Sequence, residues 1–290
     1  MAFRFGRREE IGAGVRRVAL EQLAKAERAL ARLGEDHERA VHEARKCITR
    51  ARSALRLVRH ASGDAFDRIN TGLRGAARSL STSRDAAVTL AAFDALADGS
   101  DGHARVRARL TGGAWQDPAP PSDQAVAHAA GAIGAARREI EAMRFETGGF
   151  DLIEPGLRRA WKRARRAMRA AMDEPSDERL HEWRKRCKAC HAHAKLLRRI
   201  RPKETERLVT RLRDLCTALG EERDLALLGG RLRSIGEDDD AIRGLIDEAT
   251  RRREALRARA LALGNIVFER GARKTTRRFG RLYERWRDGG

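Results

Sequence analysis

Apolar residues recur along this chain every three or four positions, and runs that alternate with a period of two are scarce. Ala, Leu, Arg and Glu fill the repeating segments, while the β-branched and aromatic runs that mark strands are rare. The expected fold is therefore all-α. Pro is confined to the gaps between patterns, with Pro118, Pro120 and Pro121 in one cluster and Pro155, Pro175 and Pro202 at expected helix boundaries. Thr111 to Asp123, rich in Gly and Pro, is the clearest break in the pattern. It divides the chain into an N-terminal helical half, 1–125, and a C-terminal helical half, 126–290.

The two halves share motifs in the same order. Val41-His42-Glu43-Ala44-Arg45-Lys46 returns as Leu180-His181-Glu182-Trp183-Arg184-Lys185, and each copy opens a long basic helix. Farther on, Ser83-Arg84-Asp85-Ala86-Ala87-Val88 corresponds to Glu222-Arg223-Asp224-Leu225-Ala226-Leu227. Two related helical bundles arising by internal duplication, joined near the Gly/Pro break, are the simplest account.

At 100° per residue, the first repeated helix presents His42, Arg45, Lys46, Thr49, Arg52, Ser53, Arg56 and His60 on one face. Ala44, Cys47, Ile48, Ala51, Leu55 and Val58 form the opposite, core-facing stripe. In the second copy the polar face is His181, Arg184, Lys185, Lys188, His191, Lys195 and Arg199, against an apolar face of Trp183, Cys187, Cys190, Ala194 and Leu197. Solvated helix faces usually interleave acids with bases. Here no acid occurs between Glu43 and Asp64, or between Glu182 and Glu204. Each row of cations repels itself, and a bound polyanion would relieve that repulsion.

Composition strengthens this reading. Among 290 residues, 62 Lys and Arg face 42 Asp and Glu, a net charge of +20 that attracts polyanions from beyond contact distance. With aromatics at only 4%, the core must be built from aliphatic residues, and bases have few stacking platforms. Four cysteines, Cys47, Cys187, Cys190 and Cys216, are too few and too uneven for a secreted disulfide framework, so a reducing cytoplasm is expected. The charged N-terminus shows no signal-peptide pattern, and no window approaches the roughly 18 apolar residues of a membrane span. Further acid-free basic runs comprise Arg158, Arg159, Lys162, Arg163, Arg165, Arg166 and Arg169, and then Arg273, Lys274, Arg277, Arg278 and Arg281.

The stretch His42 to Arg59, the stretch His181 to Lys188, the two Arg-Asp motifs and the closing Arg277 to Trp286 together resemble the signatures of CHAD domains. That resemblance spans most of the chain and implies an all-helical, stand-alone domain of two pseudo-symmetric four-helix bundles, with a basic surface or cleft between them. It implies binding of inorganic polyphosphate on a basic surface, without catalysis, and association with polyphosphate granules. The residues it carries over are His42, Arg45, Lys46, Arg50, Arg52 and Arg56 in the first signature and His181, Arg184, Lys185 and Lys188 in the second, joined by Lys195 from the polar face.

Other chemistries are weaker. Cys187-Lys188-Ala189-Cys190-His191 spells a haem-attachment pattern, but both cysteines fall on the apolar face, where buried thiols are expected. His193 nearby makes zinc conceivable, yet no second ligand pair stands at finger-like spacing. His42-Glu43 and His181-Glu182 begin a zinc-protease motif whose fourth following position is a lysine, Lys46 or Lys185. Asp85 and Asp224 are expected at helix starts as caps or ion-pair partners. Trp161, Trp183 and Trp286 are expected in the core. No metal, cofactor or catalytic residue is therefore expected, and nucleic acid is the alternative partner.

Overall fold

In a computed structural model of the chain, the described residues are 3–34, 36–80, 84–112, 120–146, 148–236 and 239–289, without the side chains of 84–87. They form eleven α-helices and two short 3-10 turns, with no strand among the described residues. The helices are α1 Ile11–Leu30, α2 His37–Leu55, α3 Gly63–Ser79, α4 Arg84–Asp94, α5 Asp101–Thr111, α6 Asp123–Ala142, α7 Glu154–Asp173, α8 Asp177–Leu196, α9 Pro202–Ser234, α10 Asp240–Phe268 and α11 Ala272–Asp288.

Local chemistry sets many of these ends. Asp36, Ser100, Ser122, Ser176 and Asp239 cap the starts of α2, α5, α6, α8 and α10 with side-chain oxygens that accept from the first-turn amides. Pro155 and Pro202 stand in the first turns of α7 and α9, where a missing amide hydrogen costs nothing. The position of Asp224 departs from expectation. The residue does not stand at a helix start but inside the unbroken α9, which already runs from Pro202. Of the paired motif, Ser83 and the side chains of Arg84 to Ala87 lie outside the described residues, as do residues 113–119 of the break and the acids Glu237 and Asp238.

Helix α1 packs on α2, and α6 packs on α3 and α1. This places α6, which follows the Gly/Pro break, against helices that precede it. In the second half α7, α8, α9 and α10 pack in sequence order, while α11 lies across α7. One continuous apolar core joins the two groups, from Ile11 and Val15 of α1 through Trp161 and Trp183 to Phe279 and Tyr283 of α11. A smaller core is separate: Phe93, Leu96, Val106 and Leu110 of the α4–α5 region pack on Leu225, Leu228, Leu232, Ile242 and Leu245 of α9 and α10. Burial of Ala44, Cys47, Ile48, Ala51, Leu55, Trp183, Cys187, Cys190 and Ala194 matches the apolar faces read from periodicity.

The N-terminal segment fastens the two halves. The Phe5 amide donates to the Leu196 carbonyl at the end of α8, 3.1 Å away, and its ring is buried. From the other end of the chain, Arg287 of α11 donates to the Glu9 carbonyl at 2.9 Å and pairs with Glu10 at 3.0 Å.

Candidate anion-binding cleft

The two repeated helices, α2 and α8, meet at their C-terminal ends. Nε2 of His193 donates to the Ser53 carbonyl at 2.9 Å, a fully buried bond between the helices. From that junction a cleft of about 1400 Å³ opens, walled by α2 and α8 and completed by α3, α4 and α7. Its cations are distributed over four helices. Arg39, Arg45, Lys46, Arg50 and Arg52 come from α2, followed by its C-cap Arg56 and by Arg59; Arg74 comes from α3, Arg159 and Arg163 from α7, and Lys185, Arg186, Lys188 and Lys195 from α8. The lining carboxylates among the described residues are Asp36, Glu38 and Glu182. Glu182 is already engaged by Lys185 at 2.7 Å and by Arg186.

Of the residues expected from sequence, His42, Arg45, Lys46, Arg50, Arg52, Arg56, Lys185, Lys188 and Lys195 line this cleft. His181 and Arg184 do not. The guanidinium of Arg184 lies along α9, where the missing side chain of Gly220 leaves room for it: a Cβ there would stand 3.2 Å from Arg184 Nη2. His181 is half-buried beside Arg184, Lys185, Lys188 and Arg223, and burial with these charges pulls its imidazole down to about 4. The two signature histidines thus occupy different surroundings, His42 exposed on the cleft wall and His181 turned from it.

The cleft also contains groups that the repeated motifs did not indicate. Arg74 and Asn70 project one turn apart from α3, and Asn70 Oδ1 accepts from Arg52 Nε at 3.0 Å. Spacing carried a signal for both, since Phe66, Ile69, Leu73 and Ala76 phase α3 and leave Asn70 and Arg74 on its flank. Arg39, seven residues before Lys46, shares the polar face of α2, whereas Arg186 carried no such signal.

Like charges in the cleft act on one another. Burial, reinforced by Arg56 and Arg74, pulls the Arg52 guanidinium down to about 10. Burial lowers Arg56 as well, with Arg186 of α8 and Arg163 of α7 adding to the effect, so three helices aim arginines at one region. Lys195 is lowered by burial and then by Arg50, Arg198 and Lys46. Burial, followed by Lys195, Arg213 and Arg50, holds His191 at about 4, which leaves it uncharged at neutral pH. The site therefore carries positive charge that its own carboxylates do not neutralise.

Phe3 and Phe66, the phenyl rings among the described lining residues, each have a guanidinium group over them. Arg50 lies over Phe3 at 5.9 Å and Arg59 over Phe66 at 5.1 Å. The Cys187 and Cys190 thiols are buried on the core side of α8, and burial raises both well above the usual thiol range.

Helical architecture and cleft together define an all-α protein built around a strongly cationic groove. The CHAD domain family model matches residues 16–233, and the chain belongs to the CHAD family, which is related to polyphosphate and triphosphate binding. Its fold is similar to the crystal structure of the CHAD domain from the plant Ricinus communis, with TM-score 0.60, 17% identity, and 93% of this chain and 96% of that chain covered. It is also similar to PptA from Streptomyces chartreusis, with TM-score 0.57, 14% identity, and 88% and 99% covered. Among curated proteins, none matches. No helix described is long and apolar enough to cross a membrane.

Proposed function

We propose that this protein binds inorganic polyphosphate in the α2/α8 cleft without turning it over, and that this binding places it on polyphosphate granules in a reducing cytoplasm. One observation carries the reading: arginines of α2, α7 and α8 line one cleft, where burial and then the neighbouring guanidinium charges lower Arg52, Arg56 and Arg163. A linear polyanion neutralises such a site along its length. Arg grips two phosphate oxygens at once and Lys acts as a point charge, so both suit a ligand that is phosphate throughout. Nucleic acid fits less well, because base stacking needs open aromatic faces and the phenyl rings among the described lining residues, Phe3 and Phe66, each have an arginine over them.

The test is a competition titration of labelled long-chain polyphosphate against single- and double-stranded DNA, at equal phosphate concentration and physiological salt. Polyphosphate is expected to bind more tightly, with a steep salt dependence. Equal or weaker binding than DNA overturns the proposal. The triple variant Arg50→Gln, Arg56→Gln, Lys195→Gln is expected to lose about tenfold or more in affinity while keeping its helical circular dichroism.

A further inference from the structure

The cleft does not end at its rim. Arg159 and Arg163 of α7 line it, and the same helix carries Arg158, Lys162, Arg166 and Arg169 on its exposed surface. The core face of α7 is Leu157, Trp161, Ala164, Met168 and Ala171. Taking its centre as zero, steps of about 100° put Arg163 and Arg159 at one flank, Arg166 and Lys162 next, and Arg169 and Arg158 beyond them. The solvent-facing half of the helix is thus cationic from the cleft rim around to the side where α11 packs. Arg165 marks that far side, its guanidinium lying against Gly271 just before α11.

No acid interrupts this surface between Glu154 and Asp173. Among the described residues, Arg158, Lys162, Arg166 and Arg169 form no ion pair, unlike Lys46, Lys185 and Arg186 in the cleft. Arg158, Lys162 and Arg166 follow one another at intervals of four residues, about 6 Å along the axis and inside one Debye length, so the row repels itself. From Arg158 to Arg169 it extends about 17 Å. Stability alone does not call for such a row.

We propose that the outer face of α7 is a second segment of the polyanion site, which receives the part of a polyphosphate chain that leaves the cleft past Arg159 and Arg163. This rests on the cleft reading above and adds to it a preference for long chains. A short phosphate oligomer fills the cleft alone, whereas a long chain engages both segments.

The experiment compares tripolyphosphate with polyphosphate of about a hundred units over a range of salt concentrations. It uses the full chain, the cleft triple variant and the α7 variant Arg158→Gln, Lys162→Gln, Arg166→Gln, Arg169→Gln. Gln keeps nearly the helix propensity of Arg and Lys, and circular dichroism checks the fold. If the quadruple variant does not fold, the pair Lys162→Gln, Arg166→Gln serves in its place. For the α7 variant, tripolyphosphate affinity is expected to stay within about twofold of the parent. Long-chain affinity is expected to fall about tenfold or more, and the salt slope to flatten by about one for each phosphate that α7 no longer neutralises. Unchanged long-chain binding overturns the proposal, as does an equal loss for both ligands, which would indicate a general field effect. A cleft variant that still binds tripolyphosphate like the parent instead overturns the cleft reading and the extension with it.

Discussion

A neutral imidazole joins the two helices that wall the cleft. His193 is fully buried, its Nε2–H donates to Ser53, and its Nδ1 has no partner among the described residues. Burial, with Arg56 nearby and against the pull of the Ser53 bond, holds it at about 4. In the unfolded chain the same group titrates near 6.5. Between those values the unfolded state binds the extra proton, so stability falls as pH drops from about 6.5 to about 4 and levels off below. For His193 alone the loss is of order 3 kcal/mol. His181 and His191 are shifted in the same direction. Urea unfolding of the parent is expected to show a clearly lower midpoint at pH 5 than at pH 7. His193→Gln should be less stable at pH 7 yet lose less between the two; an undiminished loss would mean that other groups carry the pH dependence. Sequence spacing connected His193 only with a conceivable zinc site, because its true partner is a backbone carbonyl 140 residues away.

At the scale of elements, the cleft depends on how closely α7 approaches the end of α2. Gly156, in the first turn of α7, lies against the backbone of Leu57 so tightly that a Cβ would overlap the Leu57 carbonyl. Neither partner has a flexible side chain that could move aside. Gly156→Ala is expected to cost about 1–3 kcal/mol and lower the melting temperature by several degrees. It should also weaken polyphosphate binding, since α7 carries Arg159 and Arg163 into the cleft. Gly131 of α6 is the control, because a Cβ there meets open space. Gly131→Ala should stabilise by up to about 1 kcal/mol through helix propensity and leave binding unchanged. A similar melting temperature for both variants would show that the α2–α7 approach is more forgiving than its geometry suggests. Helix identities were legible in the 3.6-residue period and in boundary prolines such as Pro155 and Pro202, but the length of α9 was not. Its Arg223-Asp224 pair reads locally like a helix start, and packing of both neighbouring segments on α8 and α10 keeps the helix continuous.

Across the whole molecule, two cores divide the work. The larger one holds α2, α7 and α8 around the cleft, while the smaller one attaches α4 and α5 to the far portions of α9 and α10. Phe93 is buried in the smaller core, edge-on to His103 with ring centres 6.3 Å apart. Phe93→Ala is expected to cost about 3–5 kcal/mol. In hydrogen exchange that loss should appear as faster exchange in α4, α5 and the facing turns of α9 and α10, with α2 and α8 still protected. Uniformly faster exchange would mean that the two cores unfold as one unit.

The sequence by itself determined the helical class, the phase of each signature helix and the sign of the charge they carry, because these follow from spacing and charge within one element. The excess of +20 and the acid-free rows needed no fold to be read. Only the tertiary structure decided which cations share a cleft. It sent Arg184 and His181 toward α9 and Arg223, brought Arg74 from α3 and Arg163 from α7 to face Arg52 and Arg56, and set α6 beside α1 and α3. The physical reason is that a helical period fixes direction around one axis, whereas the distance between charges on different helices depends on how their cores interlock.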